Sequence, residues 1–80
     1  MRLAPVVFME RPDGTYEVQY LDEVEGEYYP AGSLVCDRDA VAGSVQGWAD
    51  LMLDDPAGIA WEVRSADWEL LALGRFDGRG

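Results

Sequence analysis

The chain has 80 residues, 49% of them apolar, and carries 6 basic against 16 acidic side chains, for a formal net charge of −10 with no histidine. That length fits one small domain, and that charge repels DNA, RNA and anionic membranes, whose binders need positive footprints. Its single cysteine, Cys36, excludes an intrachain disulfide and a thiolate metal site built from one chain.

The opening, MRLAPVVFMERP, meets charge before a signal-peptide core can form, and no stretch approaches the ~20 apolar residues of a membrane span. The expectation is a cytoplasmic protein, one domain over residues 1–80, fraying at 1–4 and 77–80. Residues 5–10, PVVFME, read as a first strand. RPDGT is a turn: Pro12 presets φ, Asp13 suits the next position, and Gly14 supplies the left-handed conformation that closes a bulged hairpin. TYEVQYL alternates, with Tyr16, Val18 and Tyr20 on one face and Glu17 and Gln19 on the other.

DEVEGE turns the chain back. EYYPAGSLVC leaves two readings open, because Tyr28 and Tyr29 favour a third strand while Pro30 withholds a donor and argues for an edge or an early end. The helix is DRDAVAGSVQGWADLMLDDP. Val41, Val45, Trp48 and Met52 recur as one apolar stripe with Ala49 alongside. Asp37 or Asp39 suits the N-terminus, and Pro56 stops the helix. Gly43 and Gly47, four apart, each cost roughly 1 kcal/mol of helix propensity and open a smooth face to another element. Ile59, Trp61 and Val63 then alternate in a strand. After SAD comes a last strand, apolar on both faces beyond residue 70, which suits a central position or a face that meets a partner.

The order strand, strand, possible third strand, helix, strand, strand predicts an α+β domain: a small antiparallel sheet of four to five strands with one helix on one face. The far side of the sheet is then expected to hold most of the negative groups and to be free to meet a partner.

Catalytic signatures are absent. Without histidine the usual triads cannot form. Cys36, after Leu34 and Val35, reads as an interior cysteine whose acidic neighbours blunt its reactivity. Asp37 with Asp39, and Asp50 with Asp54, offer oxygen ligands to a divalent cation, but neither pair has calcium-loop spacing. No phosphate-cradling glycine run occurs, and there is no lysine to serve one. The reading is a non-enzyme with no cofactor, a divalent-metal enzyme using Asp50 and Asp54 being the weaker alternative.

What remains is binding. Asp22, Glu23, Glu25 and Glu27 supply charge, and Tyr20, Tyr28 and Tyr29 supply rigid amphipathic area suited to an interface with a basic protein. Leu71, Leu73 and Phe76 form a candidate self-association patch if the helix covers the other face, giving a homodimer. An inhibitor that mimics nucleic acid with its carboxylates is a special case of the first reading.

The stretch FMERPDGTYEVQYLD, with the helix from about residue 39, resembles in layout the opening hairpin of the HicB family of antitoxins. That resemblance implies a strand, a glycine-containing turn and a second strand, then a third strand and a helix, in an accessory or antitoxin-like protein. The chain departs from the pattern at EVEGEYYPAGSLV, and no separate DNA-binding domain is read in it.

Overall fold

A computed structural model describes residues 4–78. Its elements are β1 (Val6–Glu10), β2 (Tyr16–Asp22), β3 (Glu27–Leu34), a single 3-10 turn (Arg38–Ala40), α1 (Val41–Met52), β4 (Ala60–Arg64) and β5 (Leu70–Arg75). The five strands form one sheet in the order β3-β2-β1-β4-β5. The fold is the expected α+β arrangement with one helix on one face. The sheet is mixed, however: β1 and β4 run parallel, Val6 beside Trp61 and Phe8 beside Val63, while the other pairings are antiparallel. Sequence periodicity carries no information about that pairing, which joins strands some 50 residues apart.

The β1–β2 turn forms for the reasons read from its residues. Arg11 N–H donates to Thr15 O (2.8 Å) and Gly14 N–H to Arg11 O (3.1 Å), with Gly14 at φ 87°. Asp13 Oδ1 accepts from the Thr15 amide (3.0 Å) and hydroxyl (2.6 Å), and those bonds hold its carboxyl below the usual carboxylate range. The ambiguous segment is a strand. β3 lies at the sheet edge, where a proline is tolerated because one side of the backbone has no partner. A register shift opposite Val18 and Gln19 leaves Ala31 unpaired between Pro30 and Gly32.

The core lies between the helix and one sheet face. Val6, Phe8, Tyr16, Val18, Trp61 and Val63 alternate inward from three strands, and Val41, Val45, Trp48 and Ala49 answer from α1. Phe76 sits at its centre, with ring centroids 6.4 Å from Phe8, 6.5 Å from Trp48 and 6.2 Å from Trp61. Phe8 and Trp48 meet edge to face at 5.4 Å.

Several expectations are corrected. Phe76 is 2% exposed, so it belongs to the core and not to an outer patch. The stripe of α1 ends with Ala49, and Met52 is 58% exposed. The helix stops at Met52, Leu53 is already extended, and Asp54 lies off the helix, so it shares no helical face with Asp50. Neither Asp37 nor Asp39 gives a side-chain cap. The apolar β5 is an edge strand, not a central one. Apart from these corrections, most of the residues expected to fray, 1–3 and 79–80, lie outside the described residues; Ala4 is buried, and Asp77 exchanges two hydrogen bonds with Gln46 (2.7 and 3.0 Å).

Candidate interaction surfaces

The face of the sheet away from the helix follows from the same alternation. It presents Val7 and Met9 from β1, Glu17, Gln19 and Leu21 from β2, and Glu62 and Arg64 from β4. The expectation that this face carries most of the negative charge is overturned. Glu17 is paired with Arg11 (3.3 Å), and Glu62 with Arg64 (3.1 Å). Most other carboxylates lie in turns and at strand ends, because the strand interiors are occupied by residues that pack.

Tyr28 and Tyr29 are adjacent in β3 and so project to opposite faces. Tyr29 stands opposite Tyr20 on the helix side, ring centroids 6.1 Å apart, and Tyr20 packs against the core beneath it. Tyr28 crosses the far face: its hydroxyl donates to Ala4 O at 2.7 Å, tying β3 to the chain that enters β1. Burial raises the Tyr28 pKa, the Glu62 charge adds to the rise, and Arg64 opposes it. The seven residues read as one binding surface therefore divide. Tyr28 is a structural strap, half-buried Tyr20 is a support, and only Tyr29 offers an open aromatic face.

The acidic residues divide too. Asp22 forms the turn, its Oδ1 accepting from Val24 N–H (2.8 Å) and Glu25 N–H (3.2 Å), while Gly26, at φ 73°, donates its amide to Asp22 O (2.6 Å). That turn projects Glu23, Glu25 and Glu27, all exposed, around Val24, which is 95% exposed. Among the described residues the ion pairs are Arg11–Glu17, Arg38–Glu10 and Arg64–Glu62, and none of them involves Glu23, Glu25 or Glu27.

A second exposed region, only half foreseen, follows the β4–β5 hairpin. Leu73 is 66% exposed and points away from the helix, opposite Glu62. Leu71 is the extra residue of a bulge opposite Val63 and Arg64, and it packs against the core. Of the expected patch only Leu73 is thus exposed, and Leu70 (42% exposed) and Trp68 (50% exposed) are the other open apolar residues of this hairpin. Trp68 has φ 65°, the only non-glycine residue with positive φ among the described residues. The turn that holds it repeats the first hairpin's turn: Ser65 N–H donates to Glu69 O and Trp68 N–H to Ser65 O, as Arg11 and Gly14 do with Thr15 and Arg11. Trp68 therefore stands where the first turn has glycine.

No group of three or more metal-ligating side chains occurs among the described residues. Cys36 is half-buried; burial pushes its thiol pKa up, a hydrogen bond with Ser44 opposes this, and Asp37 adds to the rise. A thiol so placed is a weak nucleophile. No helix among the described residues is long and apolar enough to cross a membrane. No protein-family model matches the chain, no curated protein matches it and no solved structure matches it, so its likeness to the HicB hairpin remains one of strand layout.

Proposed function

We propose that this protein is a small non-catalytic binding module whose β2–β3 hairpin docks a basic partner protein. The observation that carries this reading is the tip itself: three exposed carboxylates, Glu23, Glu25 and Glu27, in no ion pair among the described residues, flank an almost fully exposed Val24, and the open ring of Tyr29 follows two residues beyond Glu27. Charge of one sign around a small apolar anchor favours fast, salt-dependent association with a surface of the opposite sign. The combined variant Glu23→Lys, Glu25→Lys and Glu27→Lys leaves the turn-forming Asp22 and Gly26 in place. Affinity capture with wild type and variant, washed at rising salt and read by mass spectrometry, tests the reading. A basic protein held by wild type, released by salt and lost in the variant supports it. The same proteins held by both would make the tip a solvated turn.

A second reading, self-association along β5, is favoured by one specific observation. A bulky tryptophan occupies a left-handed position that glycine would hold without strain, and half its surface is in water on the hairpin that also exposes Leu70 and Leu73. Sedimentation equilibrium of wild type and Leu73→Glu decides it: a concentration-dependent mass that the substitution abolishes supports a dimer, and an unchanged mass ends the idea.

A further inference from the structure

On the face away from the helix a depression of about 540 Å³ opens over β4. Its cause is local. Ala60 is a short side chain among long ones: Arg75 stands opposite it across the β4–β5 ladder, Leu73 stands opposite Glu62, and Pro5 leads into β1 on the other side. The walls are therefore largely apolar, and the volume lies in the range of small-molecule sites. Two charged side chains line it, and they differ in how they are used. Glu62 is engaged by Arg64 through Nε (3.2 Å) and Nη2 (3.1 Å). Arg75 is the one arginine among the described residues that makes no ion pair. Its Nη1 donates to Gly58 O at 2.8 Å, which fixes the guanidinium at the rim of the depression.

An unpaired guanidinium is notable in a chain with 16 carboxylates and 6 cations, where partners are abundant. The geometry points to a binding site here for a small apolar monocarboxylate, its tail over Ala60 and against Leu73 and Pro5, its carboxylate on the free edge of Arg75. The planar fork of arginine suits a carboxylate, and a charge-assisted contact of this kind outweighs a neutral one. The long-range repulsion from the rest of the protein is screened over about 8 Å at physiological salt and acts weakly on a contact pair.

Hexanoate is the probe, with hexanol as the neutral molecule of equal tail length. Each is titrated at 0.15 M salt into 15N-labelled protein while amide resonances are followed. The expected result is saturable shifts at Gly58, Ala60, Leu73 and Arg75 with hexanoate, and affinity for hexanol weaker by about tenfold or more. Arg75→Gln brings hexanoate to the level of hexanol. Equal affinity for both probes, an unaltered response in Arg75→Gln, or the absence of saturable shifts at those amides overturns the assignment. Should Arg75→Gln fail to fold, Ala60→Leu decides instead: it fills the floor and keeps the guanidinium, so retained hexanoate binding contradicts the site and lost binding supports it.

Discussion

Gly74 lies directly against the indole of Trp61, its cross-strand partner: a Cβ added at Gly74 would stand 2.7 Å from Cζ2 and 3.0 Å from Cε2 of that ring. Trp61 is a core residue held in turn against Phe76, so the ring has nowhere to go. Gly74→Ala is therefore expected to lower stability by about 1–3 kcal/mol through overpacking, although alanine suits a strand no worse than glycine. Urea unfolding followed by tryptophan fluorescence measures it. A loss below about 0.5 kcal/mol would mean that the indole shifts freely.

Trp68 offers the reverse case. Its turn repeats the hydrogen bonds of the turn around Gly14, but a side chain stands in the left-handed position. Trp68→Gly removes a backbone penalty of roughly 1–2 kcal/mol, and the exposed half of the ring contributes little against it. A gain near 1 kcal/mol corresponds to a rise of about 4–8 °C in Tm for a domain of this size. Calorimetry at low protein concentration reads the monomer's gain. If β5 pairs two chains, the same variant weakens the dimer while it stabilises the monomer, and the opposite signs separate strain from association.

The helix glycines make a third test. A Cβ at Gly43 or at Gly47 would meet nothing within 4 Å among the described residues beyond the helix itself. Packing among the described residues therefore gives no reason for either glycine, and alanine at each is expected to add up to about 1 kcal/mol from helix propensity alone. Thermal melts of Gly43→Ala and Gly47→Ala check this. A loss of stability in either would reveal a contact or a backbone requirement that the fold does not display.

Alkaline pH should expose the two tyrosine bonds. Burial raises the Tyr16 pKa, and the hydrogen bond to Glu10 (3.2 Å) and the charge of that carboxylate add to the rise. Burial likewise raises Tyr28. A hydroxyl whose folded pKa exceeds its unfolded value, about 10, keeps its proton longer in the folded chain. The stability linked to it is complete below that unfolded value and is lost as pH rises through the folded one. Urea midpoints measured from about pH 8 upward should therefore fall beyond about pH 10. Tyr16→Phe with Tyr28→Phe should flatten that limb. A Cys36→Ser background is needed because the raised thiol acts in the same direction at lower pH. A limb equally steep in the double variant would contradict the assignment.

What was legible in the residues was what is local. The hairpin around Gly14 and the stripe Val41, Val45, Trp48 could be read because turn chemistry and helical period are set within a few neighbours. Strand β3 was undecided because Pro30 opposes a strand everywhere except at an edge, and edge position is a property of the assembled sheet. Phe76 looked like surface because it follows β5, yet the chain turns its ring under the helix, where Phe8, Trp48 and Trp61 meet it. The acidic segment was read as one surface because Tyr28 and Tyr29 are neighbours in the chain, whereas the pleat sends them to opposite sides. The Arg75 depression was missed outright. It depends on which long side chains flank Ala60, and that is fixed by cross-strand register, for which the chain has no local signal.

The central ladder has one more consequence. Among the described residues, strands β1 and β4 form the one strand pairing between an N-terminal three-stranded piece and the C-terminal hairpin. Each piece can begin from its own turn, but closing the seam needs a loop of nearly the whole intervening chain, whose entropy is lost before any of its bonds are gained. Refolding should therefore be governed by the meeting of Val6 and Phe8 with Trp61 and Val63, and a ribosome must release most of the protein before its middle can exist.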